Sequence, residues 1–465
     1  MEMQTKKAFK IFTLAVAACF GLVLVLYLIL LAVNWRDQPV GQAAARLAAL
    51  STGRAALAEG DNAYVFLMGF QVAPNEDPRA WGQKRIAWSR QMAALPNIPD
   101  GAVPPGADTN FKAARTPEVQ ALSDACRTAE QACVDAIGKG EATIAAWAAS
   151  ERWLFERYRA LLAHQAWRED MPYDMRFPMP AFHPVFEGQK LLHLKAWTLA
   201  GQGDAAGVKA LLEADIRFWR LGLASSEMLI SKMIAVAAIN RHFSLGALAL
   251  RRLPAQSAMQ AMPQQWLAPV SDAERSMLRP FAGELRFAEN ALRRTDAPEA
   301  MREYDVTWGG KMATGVFKPL MQIQDTSNRY AEVLASVEDA LRVPYAQLPQ
   351  ALVRASNITD AVAKKGPMPD RMYNPVGDMF LRVGIPDFTN YAARVTDLEG
   401  VRRLAALTVG LHSRAVPAAQ LRHQLAAADE RNPYDGKPFQ WDEKTGAILF
   451  VGLSEGERGR HAFIY

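Results

Sequence analysis

The chain has 465 residues, half of them hydrophobic and 22% charged, with a net charge of +5 and a pI near 9.0. That composition excludes a disordered or low-complexity protein and leaves ample apolar material for a core. Basic residues are interleaved with acidic ones and no run of five or more basic residues occurs, so no nucleic-acid partner is expected.

Ile11 to Val33, IFTLAVAACFGLVLVLYLILLAV, is 23 residues without a charge. As a helix it spans roughly 34 Å, enough for a hydrocarbon core of about 30 Å with a little tilt. The run is longer than the apolar region of a cleavable signal peptide. It ends in Leu31-Ala32-Val33-Asn34-Trp35-Arg36 rather than at small residues of the Ala-x-Ala kind, so a retained anchor is expected. Lys6, Lys7 and Lys10 precede it, whereas Arg36 and Asp37 behind it cancel. The positive-inside rule then predicts a cytoplasmic tail at 1–10, a single span at 11–33 and the bulk of the chain in the periplasm of a bacterial inner membrane. Tyr27 and Trp35 fall toward the outer end, where interfacial aromatics sit, and no ionisable side chain lies inside the span. It reads as a tether.

Behind the tether, 34–431 reads as a helical body. Gln38 to Leu57 is rich in Ala and Leu and predicts a helix; Asp61 to Phe70 is apolar and aromatic and is expected to be buried. Asp77-Pro78 is a cap and first-turn proline opening a helix to about Leu95, and the proline-rich 96–110 is a loop. Glu141 to Trp167 has apolar residues at helical spacing and predicts one long amphipathic helix. Four prolines keep 170–184 irregular. Val185–Leu199, a Gly-Gln-Gly-Asp turn and Ala205–Gly222 predict a helical hairpin, and Ser225–Leu253 is a further apolar helix, interrupted as a span by Lys232, Asn240, Arg241 and His242. Helices are expected across 271–303, 325–355 and 376–427, with breaks at 364–370 and Pro386.

Cys126 and Cys133 face an oxidising compartment if the orientation holds, and a disulfide is then expected. On one straight helix their Cα atoms would lie about 10.5 Å apart, beyond the ~7 Å a bridge allows. The segment is therefore expected to bend into a bridged loop; a continuous helix would leave the thiols free. Cys19 lies in the span.

Residues 432–465 change character. Asn-Pro-Tyr-Asp-Gly-Lys-Pro at 432–438 is a turn cluster, and Phe439–Trp441 and Ala447–Val451 around a Gly446-closed loop predict a β-hairpin, with His461–Tyr465 as a third strand. This stretch, with Phe450-Val451-Gly452-Leu453 and the glycine-bearing tail, resembles the C-terminal module of type II secretion major pseudopilins and related envelope proteins. The resemblance covers 34 of the 465 residues. It implies an envelope location; in some members of that group the last loop binds calcium. Here that loop, Ser454 to Arg460, carries arginines and no Asp, so no cofactor or metal is expected. The start of the chain lacks the Gly and Glu of a pilin leader, and pilin-type processing is not expected.

Candidate chemistry is sparse. Gly452-Leu453-Ser454-Glu455-Gly456 matches the Gly-x-Ser-x-Gly nucleophile elbow, but only nine residues follow it, so a chance match is expected. None of the seven histidines forms HExxH or an i, i+4 pair; His183 and His193 could converge with Glu187, and packing or solvent roles are the expectation. Glu151 and Glu156 read as part of a charged helix face. Asn62, Tyr64, Arg371, Tyr373, Asn374 and Asp387 sit in polar-aromatic patches expected to anchor loops. No catalytic residue is assigned. The whole reads as a mainly α, single-pass envelope protein that binds or scaffolds another envelope protein, ahead of a membrane-tethered hydrolase and of a periplasmic immunity or inhibitor protein.

Overall fold

A computed structural model describes residues 2–50, 57, 59–95, 98–99, 101–106, 115–126, 130–169, 171–295, 315–363 and 371–465. It is mainly helical, with a small three-stranded antiparallel sheet at the C-terminal end. Two compact units emerge, each assembled from separated stretches of chain.

The first unit comprises residues 1–49, 285–334 and 357–386. It contains α1 (Glu2–Val33) and α2 (Gln42–Ala49). Phe9–Val33 has a mean hydropathy of 3.0 over 25 residues, none of it buried, and is long and apolar enough to cross a membrane. The helix expected from Gln38 starts later, at Gln42. Gln38 to Gly41 stays extended: its backbone is spoken for by Asn328, which accepts from Gly41 N at 2.8 Å and donates to Pro39 O at 2.9 Å. Residues 51–56 of that expectation lie outside the described residues, as do the break at 364–370 and 296–303.

The remaining elements of this unit meet at Asn374. It sits at φ 53°, a left-handed conformation that Asn tolerates better than most residues. Its side chain accepts from Gly377 N and Gln322 N, and donates to Asp325 Oδ2 at 2.8 Å and Thr326 Oγ1 at 2.9 Å. Its own N–H goes to Asn34 Oδ1 at 2.6 Å, one residue past the apolar helix. Asp37 accepts from Gln324 N and Asp325 N. Those donors are first-turn amides of the helix Ile323–Ala340 and would otherwise be unsatisfied. The expected loop-anchoring role is met in part: Asn62 caps Ala63–Met68, Asn374 caps Pro375–Gly384, Asp387 caps Phe388–Ser413 and Tyr373 donates to Arg36 O at 3.1 Å. By contrast, Arg371 only approaches Asp325 at 3.7 Å, and the buried Tyr64 hydroxyl has no hydrogen-bond partner among the described residues.

The second unit comprises residues 50–284, 335–356 and 387–465. Its helices in chain order are α3 (Ala63–Met68), α4 (Pro78–Ala93), α5 (Pro117–Ala125), α6 (Gln131–Lys139), α7 (Glu141–Ser150), α8 (Arg152–Leu162), α9 (Phe182–Gly201), α10 (Ala205–Ser225), α11 (Leu229–Arg252), α12 (Ala255–Ala261) and α13 (Asp272–Arg275). Then come α14 (Leu278–Thr295), α15 (Ile323–Ala340) and α16 (Leu348–Val362), each shared between the units, α17 (Pro375–Gly384) of the first unit, α18 (Phe388–Ser413) and α19 (Leu421–Ala427). Caps are where the residue types put them: Asp77 accepts from Arg79 N, Asp204 from Gly207 N, and Ser271 with Glu274 forms a capping box. The hairpin of α9 and α10 is as expected, turning at Gly203 with φ 78°. α11 packs against α9, α10 and α18, and 67% of its apolar window is buried, which makes it the central core helix.

Two expectations need correction. Glu141–Trp167 is not one helix: α7 ends at Ser150, α8 begins at Arg152, and Ala163–Trp167 is extended or turned. No Gly or Pro marks the break. It falls at Glu151, which is only 6% exposed and so does not belong to a charged face, whereas Glu156 is exposed and pairs with Arg159 at 3.2 Å. By contrast, Cys126 and Cys133 lie at disulfide distance, with Sγ atoms 2.10 Å and Cα atoms 4.5 Å apart. Their segment is indeed not a continuous helix, since α5 stops at Ala125 and α6 starts at Gln131.

At the C-terminal end β1 (Gln440–Asp442), β2 (Ala447–Val451) and β3 (Arg460–Ile464) pair in that order. Alternation divides the sheet into two faces. Ile448, Phe450, His461 and Phe463 share the face whose Phe450 lies against α18 at Gly400, where a Cβ would come within 2.1 Å of the Phe450 ring. Gly400→Ala is therefore expected to destabilise by about 2 kcal/mol or more through overpacking. The check is a denaturant titration; an unchanged midpoint would show that the sheet does not need this close approach.

Candidate functional site

α9, α10 and α11 each place polar residues in their shared interior. Asp215 of α10 has no solvent exposure and accepts from His242 Nδ1 at 2.7 Å, from Gln189 Nε2 at 3.2 Å and from the Tyr158 hydroxyl. Trp219 donates to the Tyr158 oxygen at 2.8 Å, and Trp266 donates to His242 Nε2 at 2.8 Å. His193 gives its Nδ1–H to Gln189 O at 2.9 Å, which leaves Nε2 facing Asp215 Oδ2 at 3.7 Å. Burial alone would push Asp215 up, but the His242 hydrogen bond, the two histidines' charge and Tyr158 hold it below the usual carboxylate value. Burial drives His193 down to about 4 against the pull of Asp215.

His193, Asp215 and His242 offer ligand atoms within 4.8 Å of one another. The donor set does not suit an ion, because both nitrogens of His242 are engaged, one giving its proton to Asp215 and the other accepting from Trp266. The constellation is a hydrogen-bonded core. It also carries a pH dependence with a definite sign. A histidine whose folded value lies near 4 instead of the unfolded ~6.5 contributes stability that is complete above pH 6.5 and is lost as pH falls toward 4, roughly 3 kcal/mol in all. Comparing urea midpoints of the wild type and His193→Gln from pH 7 to 4.5 checks this. The wild type should lose the larger share, and parallel curves would contradict the assignment.

Arg241 of α11 lies between this core and the surface. Burial lowers its pKa against the pull of Glu187, Tyr158 and Asp215, its guanidinium lies 4.6 Å from the Phe186 ring, and its Nη1 has no hydrogen-bond partner among the described residues. It opens onto a groove of about 780 Å³ bounded by α11, the disulfide corner and the sheet. The free face of the sheet, Ala447, Leu449, Val451, Arg460, Ala462 and Ile464, lines one wall. Ala237, Asn240, Arg241 and Ser244 line the other, with Cys126 and Glu130 at one end. Besides Arg241 Nη1, the buried atoms Asn240 Oδ1 and His461 Nε2 are also without a partner among the described residues. Cations (Arg241, Lys444, Arg460) and anions (Glu130, Asp442, Glu457) are balanced along it.

A second cleft, of about 350 Å³, is lined by Trp147, Glu151, Trp153, His183 and Glu187 among others. Arg115 forms an ion pair with Glu187 there. Burial raises Glu151, opposed by a hydrogen bond from Trp153, and its Oε2 has no partner among the described residues. Glu151 sits at the break between α7 and α8 and lines this cleft. Of the set His183, His193 and Glu187, the cleft takes His183 and Glu187 while His193 belongs to the core network.

Two further pairs have the residue types of catalysis without the setting. Lys190 Nζ donates to Ser123 Oγ, and burial lowers Lys190, but the cavity beside it is only about 10 Å³. Ser454 of the Gly-x-Ser-x-Gly match donates its hydroxyl to Asp397, which also accepts from Leu453 N at 2.7 Å and Tyr434 Oη at 2.7 Å. A short 3-10 turn at Gly456–Gly459 follows it, not the helix an elbow requires. Asp215, His242 and Arg241 were not singled out as a set from sequence, since the contacts joining them come from different helices. Compared with family models, characterised proteins and solved structures, the chain matches none.

Proposed function

We propose that this is a membrane-anchored binding or scaffold protein of the bacterial envelope, its body periplasmic, which takes an extended segment of another envelope protein in the groove beside the sheet. The observation that carries this is the groove of about 780 Å³ between a part-apolar sheet face and the polar side chains Asn240, Arg241 and Ser244 of α11. A peptide backbone brings both acceptors and donors at every residue and is the natural complement to such a wall. Balanced charge along the groove favours a polypeptide over a nucleic acid or a polyanion. The apolar helix Phe9–Val33 supports the tether, and the lysines before it support the orientation.

Affinity purification of the full chain from cross-linked envelopes, wild type beside Ala237→Trp, tests this reading. Ala237 lines the groove, and an indole there obstructs it. One or two stoichiometric envelope partners recovered with the wild type and lost from the variant are expected. Equal recovery, or no partner with either, sinks it. The second reading, a tethered hydrolase, is favoured by one observation: Glu151, raised by burial, and Glu187 share a tryptophan-walled cleft.

A further inference from the structure

The first unit has an apolar face pointing away from its own core. In α17, Pro375, Gly377, Asp378 and Leu381 are buried, whereas Met379 is 56%, Phe380 44% and Val383 90% exposed. Together with half-buried Val376 these occupy positions i, i+3, i+4 and i+7, a complete helical stripe. A ten-residue helix with such a stripe outward is amphipathic in the wrong sense for a water-soluble surface.

The position of this helix along α1 says what covers it. Both α17 and α1 pack against the same short turn, Lys318–Leu320. Just before that turn, Val316 O accepts from the Tyr27 hydroxyl at 3.0 Å, and Val316 and Phe317 are 40% and 54% exposed. Tyr27 lies six residues inside the apolar helix from Val33, which is about 9 Å of helix rise. At the other end of the assembly Asn34 is fixed to both Met372 O and Asn374 N. The unit is thus clamped to the last two turns of α1 and does not hang from its end.

We infer that α17, with Phe317 beside it, rests in the outer lipid–water interface of the membrane that α1 spans, its Val376–Met379–Phe380–Val383 stripe turned toward the acyl chains. This rests on reading α1 as a retained span. Helices that lie in the interface bury an apolar face about 5–10 Å into the headgroup and acyl boundary, the depth at which Tyr27 places Val316. Arg371, whose side chain is 43% exposed, flanks the stripe with a cationic group suited to lipid phosphates, whereas Arg382 is buried against Asp378 at 2.7 Å. The first unit then holds its position by two contacts with the bilayer, a span and an interfacial helix, which fixes its orientation in a way a single flexible tether does not.

The test uses the full chain reconstituted in phosphatidylcholine–phosphatidylglycerol vesicles containing lipids brominated at both shallow and deep acyl positions. In a Cys19→Ala background, a single cysteine carrying an environment-sensitive fluorophore is placed at Leu22, Phe380 or Val383. All three side chains are exposed, so labelling does not disturb a core. Fluorophores at Phe380 and Val383 are expected to lose emission to the bromolipids as the Leu22 control does, and to be shielded from a water-soluble quencher. Quenching at Leu22 with none at Phe380 or Val383 overturns the inference and leaves the span intact. Absence of quenching at all three removes the span and the inference together.

Discussion

Asp215→Ala is expected to destabilise the helical body by about 3–5 kcal/mol, the range for removing one partner from a buried charged network. The substitution deletes the common acceptor of Tyr158, His242 and Gln189 in a region without solvent, and each donor left behind loses its hydrogen bond with no water to replace it. A melting temperature lowered by roughly 5 °C follows. Asp215→Asn keeps the volume but puts an N–H2 group where acceptors are needed, so most of the loss should persist. Circular dichroism melts of the three proteins decide it; a shift of only a degree or two for both variants would mean that the network contributes specificity and little stability.

Asn374→Ala is expected to loosen the first unit by about 3 kcal/mol. Part of this is the cost of a β-carbon residue other than Asn at φ 53°, on the order of 1 kcal/mol. The rest is the loss of the acceptor for Gly377 N and Gln322 N and of the donor to Asp325 and Thr326. Asn374→Gly separates the two contributions, since it keeps the backbone conformation and removes only the side-chain bonds. Hydrogen exchange read on the amides of α17 and of Gln322–Thr326 reports the opening. Rapid exchange in Asn374→Ala, with Asn374→Gly intermediate, is the expected order. Protection in both variants equal to the wild type would show that Asn374 does not hold these segments together.

What could be read along the chain was whatever local chemistry decides. Asp77-Pro78, Asp204 and Asp387 cap helices because a short acceptor before a first turn satisfies its amides wherever the segment ends up. The three strands follow from alternation bounded by Gly436 and Gly446, both at positive φ. The cysteine pair was legible because the reach of a disulfide and the rise of a helix are incompatible at that spacing, and α5 does end at Ala125 with α6 starting only at Gln131.

The break at Glu151 was not legible, because every residue around it suits a helix and the cause is tertiary: the side chain is taken into a cleft with Trp147, Trp153 and Glu187. The core network was equally hidden. Tyr158, Gln189, Asp215, His242 and Trp266 are dispersed over more than a hundred residues, and each has an ordinary solvent role when read alone. The one usable signal was Asp215 itself, an acidic residue between Ala214 and Ile216 in an apolar helix, a placement that demands partners once the helix is buried. The stripe on α17 was present in Val376, Met379, Phe380 and Val383 too, but periodicity marks an apolar face without saying whether protein or lipid covers it.

The most direct measurement is site-specific photo-cross-linking of the full chain in living cells, with the photoreactive residue replacing Val451 on the groove face or Val353 elsewhere on the same unit. Both positions are 60% exposed, so the two differ in location and not in accessibility. A discrete cross-linked species from Val451 and none from Val353 is the result the groove reading predicts. The same species from both positions, or one from Val353 alone, would contradict it.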